Sequence, residues 1–225
     1  MIELKADECR VLGVMVEKAH TVPGQYPLTL NALTSGCNQK NNRHPVVEWD
    51  EERVYDALDS LRAKRLVNEV ILTGSRVAKF RHNAREVLGV DTAQLVVLAE
   101  LLLRGPRSLG DMRQNASRMH PLESLDSTRA VLESLGAPAR AEPLVKEVPP
   151  PPGGRARLWV QLLCPGLHPI GASTEPASGA PSEQAPRSAD PSLADRVRVL
   201  ETEVDRLRTG LRQLAERVGE ADPLA

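Results

Sequence analysis

The chain has 225 residues, 41% of them hydrophobic and 26% charged, which fits one large or two small globular domains and excludes wholesale disorder. Lys plus Arg (29) against Asp plus Glu (30) leave a formal charge of -1, unlike a protein that coats nucleic acid by bulk charge, because every neutralised phosphate asks for a cation. The aromatic residues, Tyr26, Trp49, Tyr55, Phe80 and Trp159, are too few for a base-stacking surface, so the core must be built from Leu, Val and Ala. Cys9, Cys37 and Cys164 stand far apart, with no CxxC pair and no histidine at ligand spacing. Neither a zinc site nor a disulfide framework is therefore expected, and buried reduced thiols are the plainer reading. The N-terminus is charged from its third residue, and no run of about 18 apolar residues occurs, so a cytoplasmic protein with no membrane partner is expected.

The spacing of Leu12, Met15, Val16 and Ala19 predicts an amphipathic helix from Ala6 to about His20, with Glu8, Arg10, Glu17 and Lys18 between them and Val22-Pro23-Gly24 as its stop. Thr29 offers an N-cap for a short helix carrying Leu30 and Leu33 that runs out at Gly36. After a polar loop from Asn38 to Pro45, Asp50 caps a third helix with Val54, Ala57, Leu58 and Leu61 in one stripe. Leu66 to Leu72, the turn Thr73-Gly74-Ser75 and Val77 to His82 read as a hairpin. Three helices and a hairpin are the order of a winged helix, assigned to residues 1–88, in which the third helix and the hairpin face the partner.

The pattern returns over residues 89–164. Asp91 and Gln94 form a capping box ahead of Leu95 to Leu103, a helix apolar on most faces and therefore central. Pro27-x-Thr29-Leu30-x-x-Leu33 is echoed by Pro106-x-Ser108-Leu109-x-x-Met112, and Leu58-Asp59-Ser60-Leu61 by Leu132-Glu133-Ser134-Leu135. A second hairpin is legible in Leu144 to Val148, a turn at Pro149 to Gly154, and Leu158 to Leu163. Two winged helices from one template are expected. Residues 165–192, rich in Pro, Ala, Ser and Gly, read as a disordered linker. In residues 193–219, Leu193, Val197, Leu200, Val204, Leu207, Leu211, Leu214 and Val218 follow the strict alternation of a coiled-coil seam. Valine at three of four a positions and leucine at every d position favour a parallel homodimer, and Arg196 with Glu201 and Glu203 with Arg208 supply opposite charges at g and e. The expected fold class is thus mainly α with small β hairpins: two tandem winged helices and a C-terminal coiled-coil helix.

Basic residues that could meet phosphate gather on the loop (Lys40, Arg43), on the first wing and just after it (Arg76, Lys79, Arg81, Arg85) and on the second wing (Arg155, Arg157). The third helices carry many acids: Asp50, Glu51, Glu52, Asp56 and Asp59 in the first, Glu123, Asp126 and Glu133 in the second. A major-groove reading by these helices is thereby disfavoured. No phosphate-binding glycine loop, GxSxG or HExxH is present and the five histidines are scattered, so no enzyme, cofactor or metal is expected.

Gln25 to Leu33, the run Gly36-Cys37-Asn38-Gln39-Lys40-Asn41-Asn42-Arg43-His44-Pro45-Val46 and Ala57 to Arg62 resemble the YceH family of bacterial proteins, and the likeness extends through Leu101 to Pro106 to about Leu163. The resemblance implies two tandem winged helices and no particular reaction. It singles out Pro27, Cys37, Asn38, Gln39, Asn42 and Pro45 as a motif, read as structural. Asn41, His44 and Leu109 depart from residues usual in the family, and the segment after Pro165 lies outside the likeness. Asn38, Gln39, Lys40 and Arg43 are expected to order the link between the second and third helices by hydrogen bonds to backbone. The leading expectation is DNA binding of a transcription-regulator kind, with duplex DNA as partner; the alternative is a protein-binding adaptor that uses its winged helices and coil. At the level of fold alone, the adaptor layout is similar to the tandem winged helices of chromosome-segregation proteins.

The seam generates its own test. Charged residues in place of Leu200 and Leu207 should convert a dimer into a monomer with unchanged helix content in the rest of the chain, as read by sedimentation and circular dichroism. A parent protein that already sediments as a monomer would contradict the seam.

Overall fold

The computed structural model describes residues 2–71, 77–150 and 153–168. The first turn's tip (72–76, including Arg76), Pro151 and Pro152, residues 169–192 of the expected linker and the whole predicted seam lie outside the described residues, whereas residues 165–168, read as the start of that linker, are ordered with Leu167 packed against the core. Residues Met1–Thr174 cluster as one compact unit. The chain runs α1 (Ala6–Thr21), a 3-10 turn (Pro23–Gln25), α2 (Leu30–Cys37), α3 (Glu51–Ala63), β1 (Val67–Val70), β2 (Lys79–His82), α4 (Ala84–Leu88) and α5 (Thr92–Arg104). It continues with β3 (Arg107–Ser108), α6 (Leu109–Ala116), α7 (Leu125–Leu135), β4 (Val145–Val148) and β5 (Leu158–Gln161). The result is mainly helical with two small antiparallel sheets, as the sequence leads one to expect.

The helix starts follow from side-chain caps. Thr29 Oγ1 accepts from Ala32 N–H, Asp50 Oδ1 from Arg53 N–H, Asp91 Oδ1 from Gln94 N–H and Ser108 Oγ from Asp111 N–H. Each oxygen satisfies a donor that has no partner within its helix. Short α4 was not foreseen; Gly89, at φ 60°, ends it in the left-handed conformation that glycine adopts without strain.

The two halves repeat in three dimensions as well as in sequence. β1 pairs with β2 through Val67 with His82 and Val70 with Lys79, while Leu28 bridges Phe80 on the other side of β2. In the second half β5 lies between β3 and β4, and Arg107 pairs with Trp159. The Leu28–Phe80 and Arg107–Trp159 pairs occupy equivalent places, 79 residues apart at both members, just before a capped second helix. A buried aromatic ring thus anchors each hairpin to its helices.

Two helices sit at the centre. Every residue of α1 from Glu8 to Glu17 is buried, and so is every residue of α5 from Leu95 to Arg104, because α1 packs on α2 and α3 on one side and on α5 on the other. The amphipathic spacing of α1 does not show that Glu8, Arg10 and Glu17, which stand between its apolar positions, are themselves buried, each held by a partner from another segment. Close packing needs small residues at two places. A Cβ on Gly13 would come within 2.8 Å of Leu103 Cγ, and one on Gly36 within 2.6 Å of Val14 Cγ1. Both approaches are nearer than carbon atoms tolerate, so glycine is what lets α1 seat against α5 and the end of α2 against α1.

A Gly13→Leu change should therefore cost about 1–3 kcal/mol, the usual penalty of overpacking a close-packed core, and lower the thermal midpoint. An unchanged midpoint would mean that α1 and α5 do not approach this closely.

Candidate functional site

The third helix of each half presents an outward face whose chemistry is fixed by which residues the core has taken. In α3, Val54, Ala57, Leu58 and Leu61 point inward, so Glu51, Glu52, Tyr55, Asp56 and Asp59 are exposed, with Tyr55 retaining 45% of its accessible surface. The cations of this helix are turned to neighbours. Arg53 donates to both oxygens of Asp7 (2.8 and 3.0 Å) and lies 4.7 Å from the centre of the Trp49 ring, while Arg62 reaches Asp59 and Glu69 at 3.3 and 3.2 Å. What remains is an acidic face around one tyrosine. In α7 the outward residues are Leu125, 48% exposed, with Asp126, Arg129 and Glu133.

The hairpins carry the opposite sign. Arg81 and Arg85 are exposed and Lys79 half-buried at the first, Arg155 and Arg157 are exposed at the second, and Lys40 is exposed on the loop. Arg157 donates to Glu147 Oε2 at 2.7 Å, which neutralises part of the second hairpin. Beside the first hairpin, His82, Asn83, Arg85, Glu86 and Val90 line a depression of about 330 Å³. Burial, with His20 and Arg85 adding to it, pushes the His82 imidazole down to about 4, so it is neutral at physiological pH. The Tyr26 hydroxyl accepts from the His82 backbone N–H at 2.6 Å.

Arg43 does not belong with these cations. Its side chain is fully buried: Nη2 meets Glu17 Oε2 at 2.5 Å and Gln39 Oε1 at 3.0 Å, Nε donates to Gly36 O and Nη1 to Asn42 O. A guanidinium so enclosed cannot reach a phosphate, and its inclusion among the nucleic-acid-binding residues is corrected on that ground. The motif around it is a folded corner. Asn38 Nδ2 donates to Trp49 O (2.7 Å) and Asn38 Oδ1 accepts from Trp49 N–H (2.8 Å), closing the loop between α2 and α3. Arg10 donates to the carbonyls of Cys37 and Pro45. Burial raises the Cys37 thiol to about 12, against the opposing pull of Arg10 and Arg43, which makes it a poor nucleophile.

This corner continues into the second half. Arg118 Nη2, after α6, lies 3.8 Å from Glu17 Oε1 and 3.9 Å from Glu100 Oε2, and Arg104 Nη1 is 3.0 Å from Glu100 Oε1. Glu100 is fully buried, and although it is ion-paired, neither oxygen makes an aligned hydrogen bond. Burial holds its carboxyl above the ordinary range, with Arg104, Arg118 and Arg107 pulling it back. Sequence reasoning missed this cluster because glutamates and arginines at helical spacing look the same whether solvated or buried. Among the described residues no group of three or more His, Cys, Asp or Glu could hold a metal ion, and no helix is long and apolar enough to cross a membrane.

The molecule is thus a protein of two repeated helix-and-hairpin halves that share a buried ionic junction and expose third helices of acidic or mixed charge. The chain belongs to the family described as protein of unknown function, DUF480, whose model matches residues 4–154. It is 41% identical over 217 residues to a UPF0502 protein of Burkholderia ambifaria, a match covering 96% of this chain and 90% of the relative. UPF0502 proteins of Burkholderia cenocepacia and Burkholderia pseudomallei match over the same shares at 40% and 41% identity. A match of that length runs well beyond Pro165, so the C-terminal segment, expected to lie outside the family likeness, is shared with these relatives.

The raised carboxyl of Glu100 predicts a pH dependence. Above the ordinary carboxyl value of 4.5, the folded chain releases the Glu100 proton later than the unfolded chain does. The stabilisation this gives is full below that value and is lost as pH rises through the folded one. Glu100→Gln is neutral at every pH, so the stability of the variant relative to the parent should improve between pH 4 and pH 8, by denaturant titration. A constant difference across that range would contradict the assignment.

Proposed function

We propose that this chain is a non-enzymatic, cytoplasmic protein of two tandem winged helices that assembles with a protein partner, with the C-terminal seam making it a homodimer. The order of three helices and a hairpin in each half, with a short strand or bridge ahead of the second helix, supports the winged-helix reading. The observation that carries the adaptor reading is the outward face of α3. In a groove-reading winged helix this face approaches the phosphate backbone, where Glu51, Glu52, Asp56 and Asp59 would be repelled. The same acids around an exposed tyrosine suit a basic polypeptide segment, with Tyr55 as an anchor at the centre of a charged rim.

A photo-crosslinking residue at position 55, with another at position 81 on the first hairpin, tests the choice in living cells. A protein adduct from position 55 that resists nuclease and disappears when Glu51, Glu52 and Asp56 become lysine is the expected result. Nucleic-acid adducts from position 81 with none to protein from position 55 would overturn it.

The second reading, duplex DNA held through the hairpins, draws on Lys79, Arg81 and Arg85 at the first hairpin and Arg155 at the second, with Arg76 adjacent in sequence. It requires affinity for a random duplex to fall steeply with salt. An Arg76→Ala/Arg81→Ala variant should lower the log-log slope by roughly two, about one for each lost phosphate contact. Absence of binding at low salt would remove this reading.

A further inference from the structure

The first and last cysteines, 155 positions apart in sequence, are brought together by the fold. Leu4 N–H donates to Leu163 O at 2.7 Å, so the chain entering α1 runs beside the chain leaving β5. Gln161, itself buried, then clamps the next residue: Cys164 N–H donates to Gln161 Oε1 at 2.8 Å and Gln161 Nε2 donates to Cys164 O at 2.6 Å. One turn into α1, Cys9 is buried in the core against which Cys164 packs, and the Cys164 thiol is among the groups that raise the Cys9 thiol. The two differ in access, because Cys9 is fully buried whereas Cys164 is partly exposed. Cys37, the remaining thiol, lies in α2 against Arg10 and Arg43.

We propose that Cys9 and Cys164 form an intramolecular disulfide when the protein meets a hydroperoxide, fastening the start of α1 to the segment through which the chain leaves the second half. The difference in access sets the order of events. The Cys164 sulfur attacks the peroxide; the O–O bond breaks, one oxygen stays on sulfur as a sulfenic acid and the other leaves as an alcohol or water. The Cys9 sulfur then displaces the sulfenic hydroxyl, its own proton leaving with that oxygen as water. Two thiols and one hydroperoxide thus yield one disulfide, one alcohol or water from the peroxide and one water. Burial raises the Cys9 thiol far above its ordinary range, which makes the second step the slower one. The crosslink would hold the segment just after β5 against α1 without touching α3 or either hairpin.

Full-length protein treated with graded hydrogen peroxide, then alkylated and digested, tests the pairing. The expected result is loss of two of three titratable thiols, a Cys9–Cys164 peptide as the product and Cys37 still free. The oxidised protein should melt higher by roughly 5–10 °C, the shift that a long-range disulfide gives in a chain of this size. Cys164→Ser should abolish the crosslink. Cys9→Ala should instead leave Cys164 as a sulfenic acid that dimedone traps, a readout that a merely structural thiol would not give. A crosslink through Cys37, a Cys164–Cys164 link between two chains, or dimedone labelling of the parent with no disulfide at any peroxide dose would overturn the proposal.

Discussion

The close packing of α1 against α5 is the constraint from which the rest of the structure follows. Each helix is the first of its half and each is buried almost all round, so neither half can cover its own central helix without the other. Gly13 supplies the room, since any side chain there would enter the space of Leu103. With the two helices seated, α2 and α3 close over one side and α6 and α7 over the other, and the hairpins are carried to the outside as extensions of those helices. The third helices consequently face solvent, and the chemistry they expose is what the core does not need.

Charge is part of the same seam. His44 N–H donates to Leu103 O, Arg140 donates to the carbonyls of Leu88 and Gly89, and Arg118 lies between Glu17 and Glu100. Buried ion pairs gain little net stability, because desolvation offsets much of the attraction. Their effect here is specificity: an apolar seam could slide, whereas Arg118 of the second half must meet Glu17 of α1 as well as Glu100 of α5, and His44 N–H must meet Leu103 O. The run from Cys37 to Pro45 acts through this geometry, with Asn38 fixing the loop and Arg43 reaching Glu17 of α1. It is a folding device before it is anything else.

Much of this was legible in the sequence for local reasons. Thr29, Asp50 and Asp91 mark helix starts because a capping oxygen acts within one turn, and the Leu58 and Leu132 stripes mark inward faces because helical period and burial coincide. The repeat was visible from two short matches, and the structure adds the Leu28–Phe80 and Arg107–Trp159 pairs, which no spacing rule would have joined. What stayed hidden is what depends on contact between distant segments. Glu8, Arg10 and Glu17 read as a polar face since nothing local shows that α5 and α3 cover them. Arg43 read as a surface cation because its partner lies 26 residues earlier, and Cys9 and Cys164 read as unrelated because only the completed second half brings them together. Short α4 escaped notice because five residues carry too little periodicity to be read.

Native-state hydrogen exchange across a denaturant series addresses the shared core most directly. If α1 and α5 bind the halves into one cooperative unit, the most protected amides of α3 (Leu58, Leu61) and of α7 (Leu132, Leu135) must converge on a single opening free energy with the same denaturant dependence. Two separate values, with one half opening while the other stays protected, would show that the halves fold independently and that the α1–α5 seam is only a contact between them.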